Sequence, residues 1–253
     1  MATKTTALTN DEYRSTNAIS KSDLDLIDKS ISLLEWSRNA PRDQNDTADT
    51  GNALHCSLLE PERFKSEYYE LPDFDKPAEK RAFIAKMGDK KPADKLIISM
   101  RDSVLAHPTA RKLLTLEGES EASIFFEVNN VKCKCRPDRI VSDRNFLVDL
   151  KTIDDINHIR RSVIERRYFV QDAFYSEGYY QLTGHNPTFI FIFVAKKRSL
   201  GTHPVRVLQL VPDDKAYGRD QFMDNIDSYK EYQSFGAPEI DVEWLSMKNY
   251  LTR

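Results

Sequence analysis

The strongest constraint on the fold is a change of hydrophobic period near residue 122, from helical spacing to strand alternation. Apolar and polar side chains alternate over residues 123–128 and again over residues 131–136. Asn129 and Asn130 separate the two segments, and such a pair is typical of a two-residue hairpin turn. A further strand is predicted over residues 146–151. The sequence therefore predicts three strands in antiparallel order.

Helical spacing flanks these strands, and it alternates with two more strands toward the C-terminus. We predict helices over residues 22–39, 156–167, 170–183 and 214–232. Two further helices are predicted, one that Pro61 closes and one over residues 97–116 with a break at Pro108. Strands are predicted over residues 188–196 and 205–211. Residues 62–95 are predicted to be charged loops with one short helix around 78–86. This order predicts a mixed α/β core in which helices flank a central sheet.

A length of 253 residues favours one large domain. Residues 1–18 are polar and rich in Thr and Asn, so we predict a disordered N-terminal segment there and a single domain over residues 19–253.

Charge and apolar content limit the functional class. The 37 Lys and Arg residues face 40 Asp and Glu residues, and the net charge of −3 excludes a protein that coats nucleic acid by bulk positive charge. A local basic groove is still allowed. The longest apolar run, residues 189–195, falls short of the roughly 20 residues of a membrane-spanning helix. The N-terminus lacks the pattern of a secretory signal, so a cytoplasmic protein is expected.

Three cysteines do not make a disulfide framework. Cys133 and Cys135 lie two residues apart and therefore share one face of a strand. We interpret them as core residues, because a structural zinc or iron–sulfur centre usually needs four ligands.

Three residues on two neighbouring strands point to chemistry. Asp149 and Lys151 project from the same face of their strand, and a hairpin connection would bring Asp138 beside Asp149. Carboxylates that are forced together favour a divalent cation, and hard oxygen ligands suit Mg²⁺ or Mn²⁺. The alternative is an exposed strand with solvated side chains. The apolar character of residues 146–150 argues for a buried strand instead.

Four motifs in order carry a family resemblance. Residues 51–61 on the early helix contain His55, the next two motifs are Pro137-Asp138 and Asp149-Leu150-Lys151, and residues 170–179 contain Gln171 and Tyr175. This combination resembles the RecB-like branch of the PD-(D/E)xK nuclease superfamily, and within it the RecE (exonuclease VIII) type of nuclease domain. The resemblance extends over nearly the whole chain from Ile19 onward.

The resemblance implies a role for each motif residue. The metal ligands would be His55, Asp138, Asp149 and the main-chain carbonyl of Leu150, and Lys151 would be the catalytic lysine. Gln171 and Tyr175 would position the lysine and the DNA backbone; their spacing of four places them on one helix face. Taken alone, His55 among leucines would be an ordinary interior histidine. Many relatives carry Glu where this chain has Asp149, which shortens one ligand arm.

Basic pairs in two segments are candidates for DNA contact. These residues are Arg160, Arg161, Arg166 and Arg167 on the helix after the Lys151 strand, and Lys196 and Lys197 in a later loop. A solvated helix face is the alternative interpretation of such a run.

The resemblance implies a Mg²⁺-dependent 5′→3′ double-strand DNA exonuclease, with Mn²⁺ as a substitute, that leaves 3′ single-stranded tails. It further implies action at double-stranded DNA ends together with a RecT-like single-strand annealing protein of a phage recombination module. A homo-oligomeric ring is expected, a tetramer rather than a trimer. Two alternatives stay open: another deoxyribonuclease, single-strand-specific or endonucleolytic, and a non-catalytic DNA-binding module. The presence of Asp138, Asp149 and Lys151 argues against the last.

Overall fold

A computed structural model describes residues 2–40 and 46–236, with the backbone alone for residues 46–49. The last residues of the predicted domain, 237–253, lie outside this part of the chain. The strands are β1 (Thr3–Thr5), β2 (Tyr68–Glu70), β3 (Lys91–Ala93), β4 (Glu119–Ser120), β5 (Ser123–Val128), β6 (Val131–Cys135), β7 (Arg139–Val141), β8 (Phe146–Ile153), β9 (Thr188–Ala195) and β10 (Val205–Leu208). The helices are α1 (Asn10–Ser15), α2 (Lys21–Ile27), α3 (Ile31–Asn39), α4 (Asp46–Leu59), α5 (Pro61–Glu67), α6 (Pro77–Lys86), α7 (Lys95–Ala106), α8 (Pro108–Thr115), α9 (Ile159–Glu165), α10 (Tyr168–Thr183) and α11 (Pro212–Phe235).

The central sheet has five strands in the order β10-β9-β8-β7-β4. Strands β8 and β9 are parallel, and α9 and α10 form the crossover between them; the other neighbouring strands are antiparallel. Every residue of β9 after Thr188 is buried. A central strand covered on both faces requires such a continuous apolar run, which explains the sequence of residues 189–195.

A second sheet has three strands in the order β1-β5-β6. The predicted hairpin is confirmed: Asn129 and Asn130 both have positive φ, 49° and 66°, as its turn requires. The predicted pairing of the third strand with this hairpin is wrong, because β8 pairs with the inserted strand β7 instead. Pro137 lies between β6 and β7. It has no N–H to donate, so the first ladder ends and the chain passes to the other sheet.

The N-terminal part is more regular than its composition predicts. Within residues 1–18, predicted to be disordered, β1 pairs with β5, and a capping box between Thr9 and Glu12 starts α1. The predicted helix over 22–39 is two helices, α2 and α3. Ser20 and Ser30 each accept a backbone N–H bond from the residue three positions later, so each starts its own helix.

The charged segment after α4 is also partly ordered. The helix predicted around residues 78–86 is confirmed as α6, and Pro108 separates α7 from α8 as expected. Pro61 closes α4 but also begins α5, since the first helical position needs no N–H donor. Strands β2 and β3 form a small parallel pair that the sequence reading missed.

Each face of the central sheet packs against its own helices. Phe189, Phe191 and Phe193 pack with residues of α10 and α11, and Cys133 and Cys135, predicted to be core residues, are buried in this same core. Ile190 and Ile192 face the opposite core, with residues of α4, α7 and α8. Helices α4 and α10 therefore reach β8 from opposite sides. None of the helices in residues 2–40 and 46–236 has the length and apolar character of a bilayer-spanning segment.

Candidate active site

Strand pairing brings Asp138 and Asp149 together. Arg139 on β7 is in register with Val148 on β8, so the preceding residue, Asp138, lies beside Asp149. Asp138 is buried, and its Oδ2 atom accepts a hydrogen bond of 2.6 Å from the backbone N–H of Leu150. The neighbourhood predicted from the two motifs is therefore present, although a short separate strand creates it.

Lys151 and Gln171 hold the carboxylate of Asp149 from two sides. Lys151 Nζ lies 2.6 Å from Asp149 Oδ2, and Gln171 donates its amide N–H to Oδ1. Among the described residues, Lys151 is the donor that reaches the buried Oδ2 atom. Burial by itself would lower the pKa of Lys151, but the carboxylates of Asp149 and Asp138 raise it above its ordinary value. Lys151 is therefore an ammonium group.

Helix α10 presents one face to this lysine. Tyr168, Gln171 and Tyr175 follow each other at helical spacing, and Lys151 Nζ lies 4.7 Å from the centre of the Tyr168 ring. Tyr175 is half-buried against Phe189, with ring centres 6.1 Å apart, and burial raises its pKa well above the ordinary value. The structure thus brings the predicted Gln171 and Tyr175 to the site, and it adds Tyr168, which the sequence analysis did not single out.

A second group of side chains could hold a metal ion. One ligand atom from each of His55, Glu121 and Asp138 lies within 4.8 Å of the other two. His55 on α4 places its Nδ1 atom 3.6 Å from Asp138 Oδ2. Asp149 is not part of this group, and its oxygens contact Lys151 and Gln171. His55 and Asp138 are therefore found together as predicted, while ligation by Asp149 and by the Leu150 carbonyl stays a prediction.

Glu121 was missed by the sequence analysis. It lies between β4 and β5, and its backbone N–H donates a bond of 3.1 Å to the Asp138 carbonyl. Its φ of 53° is in the left-handed region, which is uncommon for a residue other than glycine. Glu117 and Glu119 alternate with Glu121 along the chain, so no spacing in the sequence distinguishes it.

The electrostatics of this group suit a cation. Burial, and next the Asp138 carboxylate, raise the pKa of Glu121 to about 8. Burial raises the pKa of Asp138 to about 6, with His55 opposing and Asp149 adding to the shift. Two carboxylates that resist ionisation beside an imidazole are stabilised by a positive ion. The oxygen-rich donor set fits Mg²⁺ or Mn²⁺, which both accept carboxylate ligands.

Comparison with known proteins places the chain in a family. Residues 32–237 match the family described as a PDDEXK-like domain of unknown function, DUF3799. The chain belongs to this family. The predicted PD-(D/E)xK resemblance and fold class, a mixed sheet flanked by helices, are thereby confirmed.

One solved structure supports the fold of this PDDEXK-like domain. A "putative exonuclease" from Eubacterium rectale is 13% identical with a TM-score of 0.67, and the match covers 98% of this chain and 94% of the other. A phage related exonuclease from Haemophilus somnus 129PT is 13% identical with a TM-score of 0.37 over 86% and 95% of the two chains. Only the first likeness is close enough to show a shared fold. No curated protein matches the chain.

A basic groove of about 2980 Å³ includes part of the candidate active site of the PDDEXK-like domain. Lys151, Gln171 and Tyr175 line this groove, whereas His55, Glu121 and Asp138 do not. Among the described residues that line it, eleven are Lys or Arg and five are Asp or Glu, in a chain of net charge −3. Positive charge is therefore concentrated where a polyanion would approach Lys151.

The six predicted DNA-contacting residues divide into two sets. Arg160, Arg161, Arg166 and Arg167 line the groove, whereas Lys196 and Lys197 do not, and they pair with Asp154 at 3.2 Å and Asp155 at 2.8 Å.

Arg167 is engaged within the protein. It pairs with Asp28 at 2.8 Å and with Asp25 at 3.4 Å, and it donates to Asn225. It therefore joins α2 and α11 at the start of α10. Arg160 and Arg166 are exposed groove cations.

Proposed function

We propose that this PDDEXK-like domain is a Mg²⁺-dependent deoxyribonuclease, and specifically a 5′→3′ exonuclease of double-stranded DNA that leaves 3′ single-stranded tails. The proposal depends on one observation: the candidate lysine and the candidate metal-binding group lie side by side. Lys151, which is paired with Asp149, lines the basic groove, and Asp138, beside Asp149, belongs to the candidate metal-binding group.

His55, Glu121 and Asp138 would hold the divalent ion, with Asp149 beside them. When bound, the ion would neutralise charge on the scissile phosphate and on the leaving oxygen. The side chains supply the remaining functions. Lys151, as an ammonium group, stabilises negative charge that develops at phosphorus and orients the attacking water. Its raised pKa argues against a role as the base that removes the proton of that water.

Gln171 and Asp149 fix the position of the lysine. The Gln171 amide occupies Asp149 Oδ1, which leaves Oδ2 directed at Lys151 Nζ. Because these side chains are buried against the sheet, the ammonium is preorganised and does not need to reorganise when a phosphate arrives.

We also propose an assembly that explains how the chain holds DNA. A homo-oligomeric ring, a tetramer rather than a trimer, would let a chain of net charge −3 hold DNA, because only the channel needs positive charge. A RecT-like annealing protein would take over the exposed 3′ tail. Light scattering of the purified chain is expected to give the mass of a tetramer; a monomer that digests long DNA processively would contradict the ring.

End-labelled DNA tests the proposed activity. Linear duplex DNA carrying a label at either its 5′ or its 3′ ends is incubated with Mg²⁺ or with EDTA. We expect rapid Mg²⁺-dependent release of the 5′ label and no release by Asp149→Ala, while the exposed control Asp143→Ala behaves as wild type. Release of the 3′ label first would contradict the polarity. Cleavage of circular duplex would favour an endonuclease, and cleavage of single strands alone would favour a single-strand-specific enzyme.

A further inference from the structure

One row of side chains connects the candidate lysine to the edge of the sheet. Lys151 on β8 is in register with Phe193 on β9, and Phe193 is in register with Arg206 on β10. Residues that are paired across strands project from the same face of a sheet. The Arg206 backbone is therefore two strand spacings, about 10 Å, from the Lys151 backbone.

Arg206 is available to a ligand. Its side chain is exposed, lines the groove and forms no ion pair with the part of the chain that the structure describes. Arg161, by contrast, pairs with Glu165 at 2.6 Å, and Arg167 is held by acids of α2. A free guanidinium beside the row that leads to Lys151 fits a phosphate, which it can bind through two parallel N–H donors.

An aromatic pair lies on the wall of the same groove. The rings of Phe169 on α10 and Tyr217 on α11 have their centres 5.3 Å apart. Tyr217 is 55% exposed and Phe169 is half-buried. Leu208 and Leu210, which are half-buried, also line the groove. An exposed tyrosine supported by a phenylalanine in a basic groove offers a flat surface to a planar group.

The two helices are held unusually close where this pair forms. A side chain at Gly218 would overlap the backbone carbonyl of Phe169, so only glycine permits this approach of α11 to α10. Phe169 directly follows Tyr168, whose ring lies against Lys151, and both Phe169 and Lys151 line the groove. The aromatic pair is therefore fixed on the wall of the groove that also contains the candidate catalytic lysine.

We propose that Arg206, Phe169 and Tyr217 form a subsite for an unpaired nucleotide of the substrate strand. Arg206 binds a phosphate near the scissile one, and the base stacks on Tyr217, which Phe169 supports. The inference rests on the proposed function, because it takes the groove to be the path of a nucleic acid. A basic groove with a stacking aromatic is the usual means of holding a single strand. The bases of a paired duplex are stacked on one another, so a duplex segment would leave Tyr217 unused.

Binding without hydrolysis tests the subsite separately from the nuclease activity. Fluorescence anisotropy in EDTA measures the affinity of the full chain for a labelled oligo-dT strand and for a blunt duplex. Tyr217→Ala is compared with Tyr217→Phe, which keeps the ring, and with Tyr180→Ala, an exposed aromatic of α10 outside the groove. Arg206→Gln is compared with Arg198→Gln, an exposed arginine outside the groove. Circular dichroism checks that each variant is folded.

We expect Tyr217→Ala to weaken oligo-dT binding roughly 5- to 150-fold and to change duplex binding little, while Tyr217→Phe stays near wild type. Arg206→Gln should weaken the binding of both oligo-dT and duplex. It should also reduce the slope of log affinity against log salt concentration by about one. Unchanged oligo-dT binding by Tyr217→Ala, or equal losses for strand and duplex, would overturn the subsite. Strand binding that depends on Tyr217 in a chain without Mg²⁺-dependent hydrolysis would instead overturn the proposed function alone.

Discussion

The carboxylate of Asp138 is anchored to the strand that carries Asp149, because Asp138 Oδ2 accepts a 2.6 Å hydrogen bond from the backbone N–H of Leu150. Strand β7 begins at Arg139, so Asp138 lies one residue outside the backbone pairing of β7 with β8. Its side-chain hydrogen bond holds this residue to β8 as well. The bond fixes the spacing of the two acids before any ion or substrate arrives. Asp138 therefore has two roles, a structural one and an electrostatic one, and substitutions should separate them.

Asp138→Asn tests the electrostatic role. Asparagine keeps an oxygen for the Leu150 N–H but removes a negative charge from the group with His55 and Glu121. We expect the variant to fold, and its Mg²⁺-stimulated hydrolysis to fall roughly 100-fold or more, because the ion supplies several kcal/mol of charge stabilisation. Asp138→Ala should in addition lose about 1–3 kcal/mol of stability through the unpaired N–H. Full activity of Asp138→Asn, measured with labelled duplex, would refute this role.

Gln171→Leu tests the positioning of Asp149. The substitution removes the amide donor to Asp149 Oδ1 and introduces an apolar side chain of similar size at this buried position. Loss of such an orienting partner typically costs about 10- to 100-fold in activity or metal affinity, and we expect that range in the initial rate of hydrolysis. Gln181→Leu, at an exposed position ten residues further along α10, is the matched control. Equal rates for both variants would show that Gln171 does not position the acid.

Tyr168 is expected to position Lys151 through its ring. Lys151 Nζ lies 4.7 Å from the ring centre, and a cation–π contact of this kind contributes about 0.5–2 kcal/mol. Tyr168→Leu should therefore reduce kcat roughly 2- to 30-fold with little change of KM, and Tyr168→Phe should restore most of the rate. If Tyr168→Phe is as impaired as Tyr168→Leu, the hydroxyl rather than the ring is the functional group.

The metal-free protein should lose stability as the pH rises. The folded-state pKa of Glu121, about 8, lies above its ordinary value of 4.5, so the folded protein binds this proton more tightly than the unfolded chain does. The contribution of Glu121 to the free energy of unfolding is fully present below pH 4.5 and is lost as the pH rises through about 8. Thermal unfolding in EDTA between pH 5 and 9 should show this decline, and Glu121→Gln should flatten it. An unchanged slope in Glu121→Gln would contradict the assignment.

Gly218→Ala should destabilise the fold. The added methyl group overlaps the Phe169 carbonyl, a backbone atom that cannot move without displacing α10. Overpacking of this kind costs about 1–3 kcal/mol, which corresponds to roughly 2–4 °C in Tm per kcal/mol for a chain of this size. Gly51→Ala, where the nearest atom is 3.9 Å away, is the matched control and should be neutral or stabilising. Equal Tm values for the two variants would contradict the close approach of α10 and α11.

The sequence predicted those parts of the site that depend on local pattern. Alternation and the Asn129-Asn130 turn gave the hairpin, and the motif spacing brought Asp138, Asp149 and Lys151 together. Glu121 was not predicted, because its place depends on a left-handed backbone and on a bond to the Asp138 carbonyl.

Contacts between segments that are far apart in the sequence could not be predicted from local pattern either. The ordering of residues 2–18 depends on β5, more than 100 residues away, which local composition cannot reveal. The engagement of Arg167 by Asp25 and Asp28 was hidden for the same reason, since α2 and α10 meet only in the folded chain.

Lys151→Ala tests directly whether this site hydrolyses DNA. The substitution removes the ammonium that contacts Asp149 but none of the three grouped metal ligands, so Mn²⁺ binding by calorimetry should be retained. The measurement is the Mg²⁺-dependent release of nucleotides from linear duplex DNA by wild type and by Lys151→Ala. We expect rapid release by wild type that EDTA abolishes, and a loss of roughly 100-fold or more in the variant. Undiminished release by Lys151→Ala, or none by wild type with Mg²⁺ or Mn²⁺, would contradict this expectation.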